Sequence, residues 1–439
     1  MTRIQLQDFR NYDRLDLSVG PGINVFFGEN GQGKTNLLEA VYLCACARSH
    51  RTPRDADLIR KGADGYSAGV RFTDARGYEE ELQVAYLDAV PGDPQRVRAT
   101  RIVTRDEVRL HRIADMMGVF NAVIFAPEDL MLVKEGPANR RRYLDILLSQ
   151  VRPSYFHDLQ VFQKTLQQRN RLLKTMRDTG AADDGQLDVW DLSLAAGSAR
   201  ILRERLHYAH RIAEKAAEHH SRISYGKEKL NVRYRTVSGI RPEMSLEEMA
   251  DTLYRKQKAM ISEDISRGLT SVGPHRDDLE LTLDGNNMRL FASQGQQRSA
   301  VLALKQAELA IVLEETGDMP VLLLDDVMSE LDAGRRASLI EGMRDAQVFV
   351  TCTEPEHIGT RLERLLGDAG EESIRYFRVN EGCITPVDPV NDGAVDPVCG
   401  GTVEPADPVV GGEPAEPDGE SPGEREETPE GPAKTPDMV

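Results

Sequence analysis

The stretch that decides the fold is Gly28-Glu29-Asn30-Gly31-Gln32-Gly33-Lys34-Thr35, here called the phosphate loop. It has two glycines separated by four residues, followed by lysine and threonine, which is a phosphate-binding pattern. An apolar run at 22–27 precedes it, and residues 36–46 carry apolar side chains at helical spacing. The order strand, glycine-rich loop, helix predicts a site for a nucleotide.

Each residue type in the phosphate loop has a chemical reason. Glycines let backbone amides curl round phosphate groups, and the following helix N-terminus adds partial positive charge. We expect Lys34 to reach the β- and γ-phosphates and Thr35 to bind Mg²⁺. The alternative is a glycine-rich turn that fits the pattern by chance.

Bulk composition sets the class of protein. A chain of 439 residues with 40% hydrophobic and 29% charged residues is long enough for two domains and is ordinary for a globular protein. It has no apolar run of about 18 residues, and Met1 to Gln5 lack the apolar core of a signal peptide. Five cysteines, an odd number, argue against a disulfide framework. We therefore expect a cytoplasmic protein with no membrane partner.

The net charge of −17 is concentrated at one end. Residues 387–439 hold 14 acids and two bases, so −12 lies there and −5 lies on residues 1–386. That mild charge leaves room for local basic surface. The tail is also rich in proline and glycine, and we predict that it is disordered.

Periodicity and turn residues predict the order of the elements. In the first part of the chain we expect two strands at 2–19, strands at 66–72, 81–87 and 96–110, and a strand from 123 that ends at a proline turn before 130. A helix from Gly136-Pro137 follows, and then a helical hairpin at 154–220 bent at 179–185. In the last part we expect a strand at 230–236, a helix at 245–260, a strand at 279–283, a helix from Ser293 to Glu315 and a strand at 347–353.

An apolar strand at 321–324 ends in two carboxylates, Asp325 and Asp326. Such a strand end is the element that holds Mg²⁺ in phosphate-loop ATPases. We assign Asp325 to the metal, through water, and Asp326 to polarising the attacking water. The alternative is that the two acids cap the next helix.

Three basic segments, together with the helical lobe, are candidates for contact with DNA: residues 48–54, which could face phosphate or DNA, the arginines of 96–112, and Arg140 to Arg142. Each of the three segments also has an alternative interpretation that involves no contact with DNA. The first two could be a solvated loop and a solvated strand face, and Arg141 and Arg142 could form internal salt bridges with acids such as Asp145.

The order of the phosphate loop, Ser293-Gln294-Gly295-Gln296, the strand ending in Asp325-Asp326, and Ser329 to Asp332 resembles the ABC-type ATPases. More narrowly it resembles the bacterial RecF recombination-repair family, over roughly residues 1–380. The matching stretches are 28–40 with 48–51, 127–145, 273–278 and 293–339.

The resemblance implies an α/β fold: an ABC-type phosphate-loop ATPase head with mixed sheets, flanking helices and an inserted, mainly helical second lobe. We expect the head to comprise residues 1–125 and 268–386, the helical lobe 126–267, and the tail 387–439. It also implies that ATP lies between two protomers. The residues expected to act in cis are Gly28, Glu29, Asn30, Gly31, Gln32, Gly33, Lys34, Thr35, Asp325 and Asp326, and those in trans are Ser293, Gln294, Gly295 and Gln296, with Asp332 at the dimer seam.

The implied function is ATP-dependent DNA binding in recombinational repair and replication, linked to the SOS response. The dimer would clamp duplex DNA near single-strand gaps, bind both single- and double-stranded DNA, and help to load recombinase with RecO- and RecR-type partners. Slow, DNA-dependent ATP hydrolysis would act as a switch.

Two departures from ABC-type ATPases accompany the resemblance. Thr351-Cys352-Thr353 occupies the place of the usual switch histidine, and His357 is too far along; Glu128 stands near the place of the usual loop glutamine.

Two other functions are considered. A transporter ATP-binding subunit would have its signature about a hundred residues after the phosphate loop, and an SMC-like structural tether would need far longer heptad arms.

Overall fold

The computed structural model describes residues 1–74, 76–89, 98–180, 185–341, 343, 345–354 and 374–387. The chain divides into two units, Met1–Gly400 and Gly401–Val439, and the second lies outside the described residues. The predicted disordered tail therefore lies outside them too, except for Val387, which ends a strand. His357 and Arg96 also lie outside them.

The strands of the described residues are β1 (Arg3–Phe9), β2 (Tyr12–Ser18), β3 (Ile23–Phe27), β4 (Gly65–Thr73), β5 (Glu79–Leu87), β6 (Thr100–Arg105), β7 (Val108–Arg109), β8 (Ala122–Phe125), β9 (Leu230–Arg235), β10 (Asp278–Leu283), β11 (Asn286–Asn287), β12 (Val321–Asp325), β13 (Val348–Cys352), β14 (Ile374–Asn380) and β15 (Cys383–Val387).

The α-helices are α1 (Lys34–Cys46), α2 (Met131–Lys134), α3 (Pro137–Val151), α4 (Pro153–Thr179), α5 (Asp188–Ile223), α6 (Leu246–Ala259), α7 (Ile261–Arg267), α8 (Met288–Phe291), α9 (Gln294–Thr316), α10 (Val327–Glu330) and α11 (Ala333–Glu341). No helix of the described residues is long and apolar enough to cross a membrane.

The strands form three sheets. An antiparallel sheet has the order β2-β1-β4-β5-β6-β7, and a central sheet has the order β15-β14-β3-β13-β12-β8. In the central sheet the strands from β14 to β8 are parallel, and β15 runs antiparallel to β14. A small antiparallel sheet joins β9 to β10 and β11. Because β3, β12 and β13 are parallel, the loops that follow them meet at one edge.

The central sheet is buried on both faces, as its continuous apolar runs predict. Phe26 faces α1 and the antiparallel sheet, and its ring stacks 5.8 Å from Phe349 and 4.9 Å from Phe377. Val25 points to the opposite face, into the core formed with α3 and α9. This alternation fixes which of the two cores each side chain of β3 packs into.

Most predicted elements are present, with three corrections. The predicted strand 96–110 is β6 and β7, separated by Asp106 and Glu107, which have φ of 50° and 65° and form a turn. Strands β14 and β15 were not predicted. Cys44, Cys46 and Cys352 are buried free thiols, but Cys383 is disulfide-bonded, which the odd cysteine count did not predict. The small sheet joins β9 to β10 across the expected lobe boundary at 267/268, and the boundaries remain predictions.

Candidate nucleotide site

The phosphate loop lies between the end of β3 and the start of α1, and close contacts require glycine at two of its positions, Gly28 and Gly33. A Cβ on Gly28, which has φ of 149°, would lie 2.3 Å from the carbonyl oxygen of Val379. A Cβ on Gly33 would lie 2.6 Å from the side-chain nitrogen of Asn11. The loop is thus wedged between β14 and the β1–β2 turn, where no side chain fits.

Gln32 anchors the phosphate loop to the β1–β2 turn and to the turn between β14 and β15. Its carbonyl accepts hydrogen bonds from the Asn11 side chain at 2.9 Å and the Gly382 amide at 3.0 Å. Its side-chain oxygen accepts from the Glu381 amide at 2.6 Å. Sequence reasoning assigned Gln32 to nucleotide contact and missed this anchoring, because β14 and β15 were not predicted.

Lys34 lies inside the curl of the loop. Its ammonium donates to the carbonyls of Gly28 at 2.5 Å and Glu29 at 2.7 Å. Burial lowers the pKa of Lys34, and the nearby Cys352, Asp326 and Asp325 oppose that shift. A cation held at the centre of a ring of backbone groups is arranged to meet phosphate oxygens.

The two predicted magnesium residues are in direct contact. The Thr35 hydroxyl donates to Asp325 Oδ1 at 2.9 Å, and the Thr351 hydroxyl donates to the same oxygen at 2.8 Å. Burial raises the pKa of Asp325, and these two hydrogen bonds oppose the rise. A hydroxyl beside a carboxylate is the kind of donor set that a hard cation with several water ligands takes.

Asp326 follows in a left-handed conformation, with φ of 52°. Its amide donates to the Thr351 hydroxyl at 2.9 Å, and its carboxylate accepts from Ser329 Oγ at 2.9 Å. The carboxylate is exposed at the pocket, where it can orient a water molecule. The alternative is that the acids cap the next helix. The Asp326 side chain accepts no hydrogen bond from an α10 amide, so the structure does not support capping by Asp326.

The residues that replace the expected histidine line the same pocket of about 290 Å³. Thr351 orders both acids, and burial raises the pKa of Cys352 to about 12, which keeps the thiol protonated. Thr353 is exposed beside them. The pocket is lined by Asn30, Gly31, Gly33, Lys34, Thr35, Asn36, Arg51, Asp325, Asp326, Thr351, Cys352 and Thr353.

Arg51 brings the basic loop after α1 to this pocket. It donates to Asn36 Oδ1 at 3.0 Å and lies 3.4 Å from the carboxylate of Glu39. Glu39 is fully buried in α1 and accepts two 2.9 Å bonds from Arg10 and one from the Ser49 hydroxyl. The sequence predicts either a solvated connection or a phosphate- or DNA-facing role for this loop, and it gives no local sign of Glu39, the buried acid that holds the loop.

Glu128 lies in the turn after β8, the strand next to β12. It is exposed, and its charge helps to raise the pKa of Asp325. This proximity is compatible with the predicted replacement of the loop glutamine, which remains a prediction.

The signature segment, Ser293 to Gln296, begins α9, a helix of 23 residues. Ser293 Oγ accepts from the Gln296 amide at 3.3 Å, and the Gln296 side chain accepts from the Ser293 amide at 2.8 Å. This capping box leaves Ser293 and Gln294 exposed. None of these four described residues is among those that line the nucleotide pocket.

Asp332 and Arg335 connect the predicted dimer seam to the signature segment. The Asp332 carboxylate accepts from the Arg335 amide at 2.9 Å and its guanidinium at 2.5 Å. Arg335 also donates to the Gly295 carbonyl at 2.9 Å and to Ser299 Oγ at 2.8 Å. Sequence reasoning placed Asp332 at the seam but missed Arg335, whose contacts lie about 40 residues earlier in the chain.

The prediction that Arg140 contacts DNA needs correction. Arg140 is buried, pairs with Asp278 at 2.7 and 2.9 Å and donates to two backbone carbonyls, so it has no free surface. Arg141 and Arg142 donate to the carbonyls of Asp277 at 2.7 Å and Ser49 at 2.5 Å. Their suggested partner Asp145 instead pairs with Arg205.

The comparisons with known proteins agree with this geometry. The RecF/RecN/SMC N terminal domain family matches residues 1–367. Fold and site thus define an ABC-type phosphate-loop ATPase head. Proteins named DNA replication and repair protein RecF are similar over most of the chain. The one from Ruminiclostridium cellulolyticum is 39% identical and covers 81% of this chain and 93% of its own, and that from Lysinibacillus sphaericus is 38% identical, with 87% and 98%.

Solved structures give the same result. The recombination mediator protein RecF-ATPrS in the RecFOR pathway is 32% identical with a TM-score of 0.78, and covers 88% of this chain and 98% of its own. The RecF-ATP structure has a TM-score of 0.77 at the same identity. This chain belongs to the RecF family. The transporter-subunit and structural-tether alternatives are therefore set aside.

Proposed function

We propose that this chain is an ATP-dependent DNA-binding protein of recombinational DNA repair and replication, which works in the cytoplasm as an ATP-driven dimer. One observation carries the proposal. Lys34, Thr35 and Asp325 share a pocket, and the signature segment lies outside that pocket's lining. The similar proteins are named for DNA replication and repair, and one similar structure is named as RecF-ATP; both names support the proposal.

ATP binding would use the phosphate loop directly. Lys34 would exchange its two carbonyl contacts for phosphate oxygens, and the loop amides would complete the cradle. Thr35 and Asp325 would hold Mg²⁺, which would neutralise phosphate charge. Asp326, with Glu128 nearby, would orient a water molecule near the terminal phosphate.

A second copy would complete the site. The start of α9 presents the exposed Ser293 hydroxyl and free helix amides, a ready site for an anion. Because the nucleotide pocket of the same chain is lined by other residues, we expect this anion site to meet the terminal phosphate of ATP bound to a partner copy. Asp332 would lie at the seam, where Arg335 ties it to the signature segment.

We infer that hydrolysis is slow and serves as a switch. Thr351-Cys352-Thr353 offers no imidazole at the pocket, and Glu128 would replace an amide with a carboxylate. Neither replacement strengthens the stabilisation of the negative charge that develops on the transferred phosphate. DNA would then increase turnover by favouring the closed dimer.

DNA would bind through phosphate contacts near single-strand gaps, where the dimer would help RecO- and RecR-type partners to load recombinase. A structure named for the RecFOR pathway supports the partners. The surface of α4 offers Lys164, Arg171 and Lys174 in one groove with glutamines. We expect DNA binding to weaken steeply as salt rises, because phosphate contacts release counterions.

Sedimentation of the full chain with and without ATP tests the proposal. We expect the wild type to become a dimer with ATP and Lys34→Ala to stay a monomer, since it lacks the central cation of the loop. Lys61→Ala, which removes an exposed lysine elsewhere, should behave as the wild type. A Lys34→Ala protein that still dimerises with ATP would refute the role given to the phosphate loop.

A further inference from the structure

A second cleft lies away from the nucleotide pocket, between the antiparallel sheet and helices α3 and α4. It has a volume of about 800 Å³ and shares no lining residue with the nucleotide pocket. One wall is the loop after α1 with Arg101 of β6, and the other is α3 with Phe156 of α4. We call it the arginine cleft, after Arg48, Arg101, Arg141 and Arg142.

Two carboxylates line the arginine cleft, and both are already paired. Asp55 forms an ion pair with Arg101. Asp145 accepts from Arg205 at 2.7 Å and from the Tyr155 hydroxyl at 2.6 Å. Each acid therefore forms its ion pair with an arginine other than Arg48, Arg141 and Arg142.

Three guanidinium groups have no carboxylate within ion-pairing distance in the part of the chain that the structure describes. Within the described residues, Arg48 makes no side-chain hydrogen bond, and neither Arg141 nor Arg142 forms a salt bridge. Arg141 and Arg142 each donate to one backbone carbonyl, which leaves most of their N–H groups free. Burial lowers the pKa of Arg48, the charges of Arg142 and Arg101 lower it further, and the carboxylates of Asp145 and Asp55 oppose the shift.

The side chain of Arg48 is exposed and those of Arg141 and Arg142 are half-buried, so solvent screens only part of the repulsion between their like charges, which costs free energy while the cleft is empty. An anion would remove that cost. Arginine forks match the oxygens of phosphate in a bidentate way; a terminal phosphate carries close to two negative charges, and each backbone phosphodiester of nucleic acid carries one.

We propose that the arginine cleft is a second phosphate site, which takes a phosphate group carried by nucleic acid or by a free nucleotide. Arg48, Arg141 and Arg142 bind the phosphate oxygens. The two basic segments around residues 48 and 141, separate in the sequence, thus act at one place. Arg48 is the most direct probe, because its side chain makes no hydrogen bond or ion pair with the described residues that the substitution would break.

The test measures binding of inorganic phosphate by calorimetry in full-length Lys34→Ala, where the phosphate loop is impaired. We expect binding to persist in Lys34→Ala and to weaken about tenfold when Arg48→Ala is added, as for the loss of a charged hydrogen bond. Arg48→Glu should abolish it. The matched control is Arg233→Ala, which removes an exposed arginine of β9 that does not line the cleft.

Competition then identifies the source of the phosphate. ADP and a short DNA duplex are each added to phosphate-saturated Lys34→Ala, with acetate at equal ionic strength as the control anion. Displacement by duplex alone assigns the cleft to nucleic acid, and displacement by ADP assigns it to a nucleotide. The proposal is overturned if Lys34→Ala binds no phosphate, if Arg48→Ala changes nothing, if neither ligand displaces phosphate, or if acetate displaces it as well as they do.

Discussion

The hydroxyl of Thr35 donates a 2.9 Å hydrogen bond to Asp325, which lies 290 positions further along the chain. Strand β13 lies between β3 and β12 and adds Thr351 to the same carboxylate oxygen at 2.8 Å. The central sheet thus brings three distant polar groups to one edge. This relationship is the structural basis for the proposed magnesium site.

Replacing Thr35 should remove the response of ATP affinity to Mg²⁺. Thr35→Val keeps the shape but removes the hydroxyl, so we expect the gain in ATP affinity from Mg²⁺ to fall about tenfold, as for the loss of a hydrogen bond to a charged group. Titration of ATP with Mg²⁺ and with EDTA measures it. Thr35→Ser should retain the gain, and an undiminished gain in Thr35→Val would be inconsistent with a metal role.

Two glycines of the phosphate loop should differ in their tolerance of alanine. The added Cβ at Gly28 would lie 2.3 Å from a backbone oxygen, whereas at Gly31 it meets nothing within 4 Å. Gly31→Ala has only the strain of a positive φ, about 1 kcal/mol. We expect Gly28→Ala to lose more stability and most ATP binding, measured by urea unfolding and nucleotide titration. Equal losses in both variants would argue against the wedged loop.

The stability contributed by Glu39 should disappear in acid. Burial raises the pKa of Glu39, but hydrogen bonds from Arg10 and Ser49 outweigh it, and the pKa lies below its usual 4.5. A lowered folded-state pKa gives stability that is present above pH 4.5 and is lost as the pH falls through the folded value.

We therefore expect Glu39→Gln to lower the free energy of unfolding by about 2 kcal/mol at pH 7, with a smaller loss below pH 4.5. Urea unfolding at both values measures the difference. Glu243→Gln, at an exposed position, should have little effect at either pH. A Glu39→Gln penalty that stays constant with pH would contradict the assigned pKa.

Arg335 should matter for dimerisation but not for ATP binding by one subunit. Without its bonds to Gly295 and Ser299, the signature segment loses its link to Asp332. We expect Arg335→Ala to raise the dimer dissociation constant with ATP about tenfold, measured by sedimentation. The neighbouring Arg336→Ala, which loses one 3.5 Å contact, is the control. Equal effects of both variants would remove the special role of Arg335.

The phosphate loop and the acidic strand end could be predicted because both are local patterns. Glycine spacing, apolar runs and terminal acids stand within a few residues of each other, and each has a direct physical meaning. The helix that begins at Ser293 could also be predicted, because its capping box lies within four consecutive residues.

What could not be predicted depends on distant partners. Arg140 was expected to contact DNA, but it is buried against Asp278, 138 positions away, and nothing local reveals that acid. Strands β14 and β15 were missed, although β14 completes the sheet beside β3 and anchors Gln32 through the turn that follows it. Glu107 is not a usual residue for positive φ, so the turn at Asp106 and Glu107 is not visible in the sequence.

The central claim is that each subunit holds half of a nucleotide site. Mixing two inactive variants tests it, because a dimer of Lys34→Ala with Ser293→Arg contains one doubly damaged site and one site with an intact phosphate loop facing an intact signature segment. The measurement is ATP hydrolysis with DNA present. The account predicts that the mixture turns over ATP well above the summed rates of the separate variants. No gain on mixing, or full activity of Ser293→Arg alone, would contradict it.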